Sequence, residues 1–102
     1  MLIDVFTVTV TTAGTRVQVS TAAAYGGKVK AIAFQARPQN TGTYCYVGVS
    51  DVAAAVGWTL TKGTTVAAMV ELDFGEGSLA ITDFWVDADT NGDKVEVRAI
   101  FR

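Results

Sequence analysis

Along most of this chain apolar and polar residues alternate with a period of two, and a break rich in Gly, Asn or Pro interrupts the alternation every eight to twelve residues. That rhythm predicts short β-strands arranged as a sandwich or barrel. Residues 4–11 set Phe6, Val8 and Val10 against Thr7, Thr9 and Thr11 before Ala13-Gly14 ends the pattern. Residues 15–20 offer Val17 and Val19, and 22–27 read as a loop in which Ala22-Ala23-Ala24 forms at most one helical turn. Residues 28–37 place Ile32, Phe34 and Ala36 on one face and Val29, Ala31 and Ala33 on the other. A strand apolar on both sides is expected to be central or covered. Arg37-Pro38-Gln39-Asn40-Thr41-Gly42 then turns the chain: Pro38 lacks an N–H, and Asn40 and Gly42 tolerate left-handed backbone. Further strands follow over 43–49, between Gly57 and Gly63, over 64–73 (Val66, Ala68, Val70, Leu72), over 79–88 and over 94–101. Residues 52–56 are too short, and too β-branched at their ends, for a helix.

The last two strands make a specific prediction. With Asn91-Gly92 at the centre of a two-residue turn, a hairpin pairs Asp89 with Lys94, Ala88 with Val95, Val86 with Val97 and Phe84 with Ala99. Every second pair is apolar on both strands. On the opposite face Asp87 has Lys94 and Arg98 as diagonal neighbours, and Trp85 stands beside Arg98.

About eight strands in 102 residues, with no linker or internal repeat, predict one all-β domain over residues 1–102. The expected architecture is an antiparallel β-sandwich, jelly-roll or Greek-key like. Half the residues are apolar, only 18% are charged, and mean hydropathy is +0.33. A domain this small hides that much apolar surface with difficulty, which predicts cover by neighbouring subunits. No apolar run is long enough to cross a membrane as a helix. The eight basic residues are scattered in a chain of net charge −2, which argues against nucleic acid as a partner. No secretory signal is visible at Met1-Leu2-Ile3-Asp4, and synthesis in the cytoplasm is expected.

Candidate chemistry is sparse. Asp87-Ala88-Asp89-Thr90-Asn91-Gly92-Asp93 matches the first seven positions of a calcium loop, but the twelfth, where a bidentate glutamate should stand, is Arg98. An acidic turn between strands is the simpler reading. The carboxylate pairs Glu71 with Asp73 and Asp83 with Asp87 share strand faces without marking a cleft. Cys45, flanked by Tyr44 and Tyr46, has no histidine anywhere in the chain to activate it and reads as a core filler. Neither Gly26-Gly27 nor Gly75–Gly77 precedes a helix that would cradle phosphate. A non-enzyme is expected, with no cofactor and no metal. The aromatics are the remaining candidates: Trp58 is a core residue or an interface anchor, and Trp85, stacked on Arg98, is an anchor if its face is left uncovered. Tyr25 is a further candidate contact.

The order Ala36–Val52 (with Asn40-Thr41-Gly42 and Tyr46-Val47-Gly48), Gly57-Trp58-Thr59-Leu60, Lys62-Gly63, Val70-Glu71-Leu72 and Phe84–Asp89 resembles small β-sandwich virion proteins of tailed bacteriophages. Cys45 and Trp58 depart from the pattern. The resemblance implies a capsid cement or decoration protein in the virion, a homo-oligomer, by analogy a homotrimer, held against the major capsid protein. A tail-fibre or tail-tip module that binds carbohydrate through Trp58, Trp85 or Tyr25 is the alternative it implies. Edge strands separate the two: a cement protein leaves them for partners, whereas a free module guards them with charge or proline.

Overall fold

In the computed structural model, residues 2–19, 29–54, 56–69 and 81–101 are described. Eight strands form: β1 (Leu2–Thr9), β2 (Val17–Gln18), β3 (Val29–Ala36), β4 (Tyr44–Gly48), β5 (Trp58–Thr61), β6 (Thr65–Met69), β7 (Trp85–Ala88) and β8 (Lys94–Phe101). They build two antiparallel sheets of four strands, ordered β1-β8-β3-β6 and β2-β7-β4-β5. Apart from the β4–β5 hairpin, each connection passes from one sheet to the other, and the interleaved order is that of a jelly roll. Alternation does its expected work: Ile32, Phe34 and Ala36 of β3 and Val95, Val97, Ala99 and Phe101 of β8 face Cys45, Val47, Leu60, Val86 and Ala88 across one core. Each Val, Leu, Ile or Phe among them contributes about 1.5–3 kcal/mol when taken from water. As its two apolar faces require, β3 is central, with β8 on one side and β6 on the other.

Several boundaries differ from expectation. A register shift between Val29 and Ala31 breaks the alternation, so Val29 joins the core instead of the outer face. Residues 81–83, expected in a strand, form a 3-10 turn that precedes β7, and Ala53 and Val56 close a small bridged loop. The proposed strand residues beyond Met69, the Gly75–Gly77 turn, Glu71 with Asp73, and the loop at 22–27 lie outside the described residues.

The larger correction concerns β7 and β8. They do not pair with each other: β7 lies between β2 and β4, and β8 between β1 and β3. The apolar faces of Phe84, Val86 and Ala88 and of Val95, Val97 and Ala99 meet across the sandwich instead of side by side. Strand alternation is satisfied equally by either arrangement, and longer-range bonds select this one. Gly92, at φ +82°, donates to Val10 O at 2.8 Å, while Val10 N–H donates to Asp93 O at 2.9 Å, which draws the start of β8 onto β1. Arg98 therefore lies in the sheet opposite to Trp85 and does not stack on it.

Asp93 is buried, and its two carboxylate oxygens accept the Thr41 and Gly42 amides at 2.9 and 2.8 Å. Replacing it leaves both donors without a partner. Asp93→Ala is expected to lower unfolding free energy by about 2–4 kcal/mol in urea titration, with an unchanged slope.

Candidate functional site

The two ends of the sandwich have opposite chemistry. At one end the string 87–93 is a polar clamp. Asp87 Oδ1 accepts Gly14 N–H at 3.0 Å and Ala88 N–H at 2.8 Å, and Asn91 Oδ1 accepts Ala13 N–H at 2.7 Å. Asp93 holds the 41–42 amides, and Asp89 accepts the Tyr46 hydroxyl at 2.6 Å. Asn40, buried in the adjoining loop, donates to Lys94 O and accepts Lys94 N–H, both at 2.8 Å, so its side chain stands in for one rung of a β ladder. Arg37 Nε lies 3.3 Å from Glu96 Oε1 without an aligned hydrogen bond, a half-exposed contact of little energetic weight. The carboxylates that suggested a calcium loop are thus each engaged by a protein donor: Asp87 and Asp93 fasten loops 10–14 and 37–43 to the β7–β8 crossover, and Asp89 holds Tyr46 of β4.

That environment sets two titrations. Burial, reinforced by the Asp93 and Asp89 carboxylates and only partly offset by the hydrogen bond from Asn40, pushes the Cys45 thiol up to about 11. Donation to Asp89, with burial adding, pushes the Tyr46 hydroxyl up to about 12. A buried protonated thiol is a poor nucleophile. It belongs to the core.

At the other end the sandwich is open. The β4–β5 loop, Phe84 and the start of β5 enclose a cavity of about 470 Å³ lined by Val47, Gly48, Val49, Asp51, Val52, Val56, Gly57, Trp58 and Phe84. Its floor is core, Val47 and Phe84; its rim is Val49, Val56 and Trp58, exposed by 56%, 44% and 50%. Trp58 has the parity of core Leu60, but it starts β5 where the sheet runs out, so its indole stands at the mouth instead of under a roof. Gly57 makes the approach possible: at φ +108°, a Cβ there would stand 2.6 Å from Val47 O.

The other expected contact residues scatter. Trp85 lies half-buried on the outer face of its sheet with Arg16, not Arg98, over the ring at 5.7 Å. Arg98 is exposed on the outer face of the opposite sheet between Val5 and Ala33. Tyr25 lies outside the described residues. Of the described candidates Trp58 alone reaches the cavity; sequence reasoning misses Val49, Val56 and Phe84 as its partners. Their only local signal was an apolar run, Val52–Val56, that fits neither strand nor helix beside a tryptophan. Comparison with protein-family models, with curated proteins and with solved structures returns no match.

Two outcomes are expected of the clamp. Both Cys45 and Tyr46 hold their protons more tightly folded than unfolded, from ordinary values of 9.0 and 10.0, so the stability they confer is complete below pH 9.0 and is lost as pH rises through about 11 and then about 12. Thermal melts across that window should fall by an amount equivalent to on the order of 2 kcal/mol, most of it from Cys45 because Tyr46–Asp89 is partly screened. Cys45→Ala should abolish the lower part of the decline alone. Secondly, the melting temperature should be the same in calcium and in chelator, since the Asp87, Asp89 and Asp93 oxygens already accept protein donors; a rise of many degrees with calcium would restore the metal-loop reading.

Proposed function

We propose that this protein is a non-enzymatic structural component of a tailed-bacteriophage virion, a capsid cement or decoration protein that fastens neighbouring shell subunits by apolar contact. The observation that carries the reading is the Trp58 mouth. Three exposed large apolar side chains converge on one open cavity whose floor is the hydrophobic core. Such a cavity is the usual anchor of a protein interface: a Trp at the centre of a desolvated pocket accounts for much of the binding energy. Asp51 is the one charged side chain among the described lining residues. The jelly roll supports the reading only generally, because capsid and lectin domains share it. The resemblance of the Asn40–Gly42, Tyr46–Gly48 and Gly57–Leu60 segments to phage virion proteins supplies the setting.

In this reading the clamp keeps one end rigid while the other receives an apolar side chain from a shell protein, so little ordering entropy opposes docking. A glycan-binding role on a tail tip would use the same indole, half-exposed as a stacking platform, but the lining offers little to hydrogen-bond sugar hydroxyls.

Purified chain is expected to bind particles of the cognate phage from which it has been stripped, and Trp58→Ala to weaken that binding by about 2 kcal/mol, roughly thirtyfold, with little change in melting temperature. Loss of binding on a glycan array in the same variant, with particle binding intact, would favour the tail-tip role; virions whose mass spectrum lacks the chain would end both.

A further inference from the structure

The free edges of the two sheets are unequal. Among the described residues, strands β2, β5 and β6 have two, four and five residues, but β1 has eight, about 27 Å of extended backbone. Its direction of hydrogen bonding is fixed at its end: Val10 donates to Asp93 O and accepts from Gly92 N–H, so Val10 faces β8. Antiparallel alternation then turns the N–H and C=O of Val8, Phe6 and Asp4 toward β8 and those of Thr9, Thr7, Val5 and Ile3 away from it. Among the described residues no strand pairs with that outer side. Of the usual guards of an edge, only a single charge, Asp4, is present. Residues 2–9 contain no Pro, Lys or Arg, and their register with β8 runs without a bulge.

We propose that β1 is the seam of a homodimer, in which β1 of a second copy pairs antiparallel with it about a two-fold axis at Val5 and joins the two four-stranded sheets into one. A row of outward backbone donors and acceptors is complemented by another extended strand. A second copy fits on three counts. Setting Val5 opposite Val5 of the second copy also sets Thr7 opposite Ile3, so outward-bonding residues meet outward-bonding residues throughout. The same register places Asp4 opposite Phe6 and keeps the two Asp4 carboxylates apart. It also covers Val5, whose 61% exposure is the greatest of any large apolar residue described. The dimer would carry two Trp58 mouths, and on the shell-binding reading above, two attachment points per particle multiply affinity without a new contact.

Sedimentation equilibrium across micromolar to sub-millimolar concentrations tests this independently of any phage particle. The expected mass is twice 10.7 kDa. Thr7→Pro removes an outward N–H and no bond to β8, a position where an edge strand accepts proline. Val5→Lys sets like charges across the axis, and its repulsion from the exposed Arg98 beside it on β8 costs the monomer little. Each should weaken dimerisation by about tenfold or more while leaving the melt of the dilute monomer close to wild type; should Thr7→Pro fail to fold, Val5→Lys decides. Amide exchange at Val5 and Thr7 should slow as concentration rises. A monomer at every concentration, a dimer undiminished in Val5→Lys, or a mass of three copies, which a two-fold β1 seam cannot give, would overturn the inference.

Discussion

The rest of this fold depends on a set of hydrogen bonds between buried side chains and backbone at one end of the sandwich. A jelly roll passes its chain repeatedly between two sheets, and each crossing leaves backbone donors away from any ladder. Those donors must be satisfied or the crossing is costly. Here Asp87, Asp93 and Asn40 satisfy them: two carboxylates accept loop amides, and one side-chain amide completes a rung against Lys94. The hydrophobic core brings the sheets together. The clamp decides which strand neighbours which.

Because polarity is concentrated at that end, the opposite end is left greasy. Val47 and Phe84 continue the core to the surface, and Trp58 marks where it emerges. Along the flank, β1 adds a second feature of another kind, backbone polarity that no strand among the described residues pairs with. An unroofed core and an unpaired edge are liabilities in a protein that acts alone. In the permanent assembly proposed above they would be the attachment points.

Much of this was legible in the residues. Alternation in 28–37, 43–49 and 94–101 located β3, β4 and β8 to within a residue or two, and their inward faces are the observed core. The pattern could not distinguish a neighbour in the same sheet from one across the interior, since Val86 opposite Val97 satisfies both. Asn91-Gly92 signalled a turn correctly but not its destination, which is set by bonds with Val10, Thr41 and Gly42, 51 to 83 residues away in sequence. Val29 was misplaced because a bulge shifts parity without a composition signal. Trp58 was legible as a candidate, while its exposure follows from standing at a strand end, a position known only once β4 and β5 are paired.

The place of β8 inside its sheet governs how the chain reaches this state. It is the eighth strand in order yet lies between the first and the third. As the polypeptide leaves the ribosome, β1 and β3 therefore emerge with a vacant lane between them, and that sheet cannot consolidate until nearly a hundred residues have been joined. Such high contact order slows folding to the range of milliseconds to seconds and leaves apolar ribbons uncovered in the interval. Shortening the nascent chain within β8 removes the keel of the sheet, not a dispensable tail.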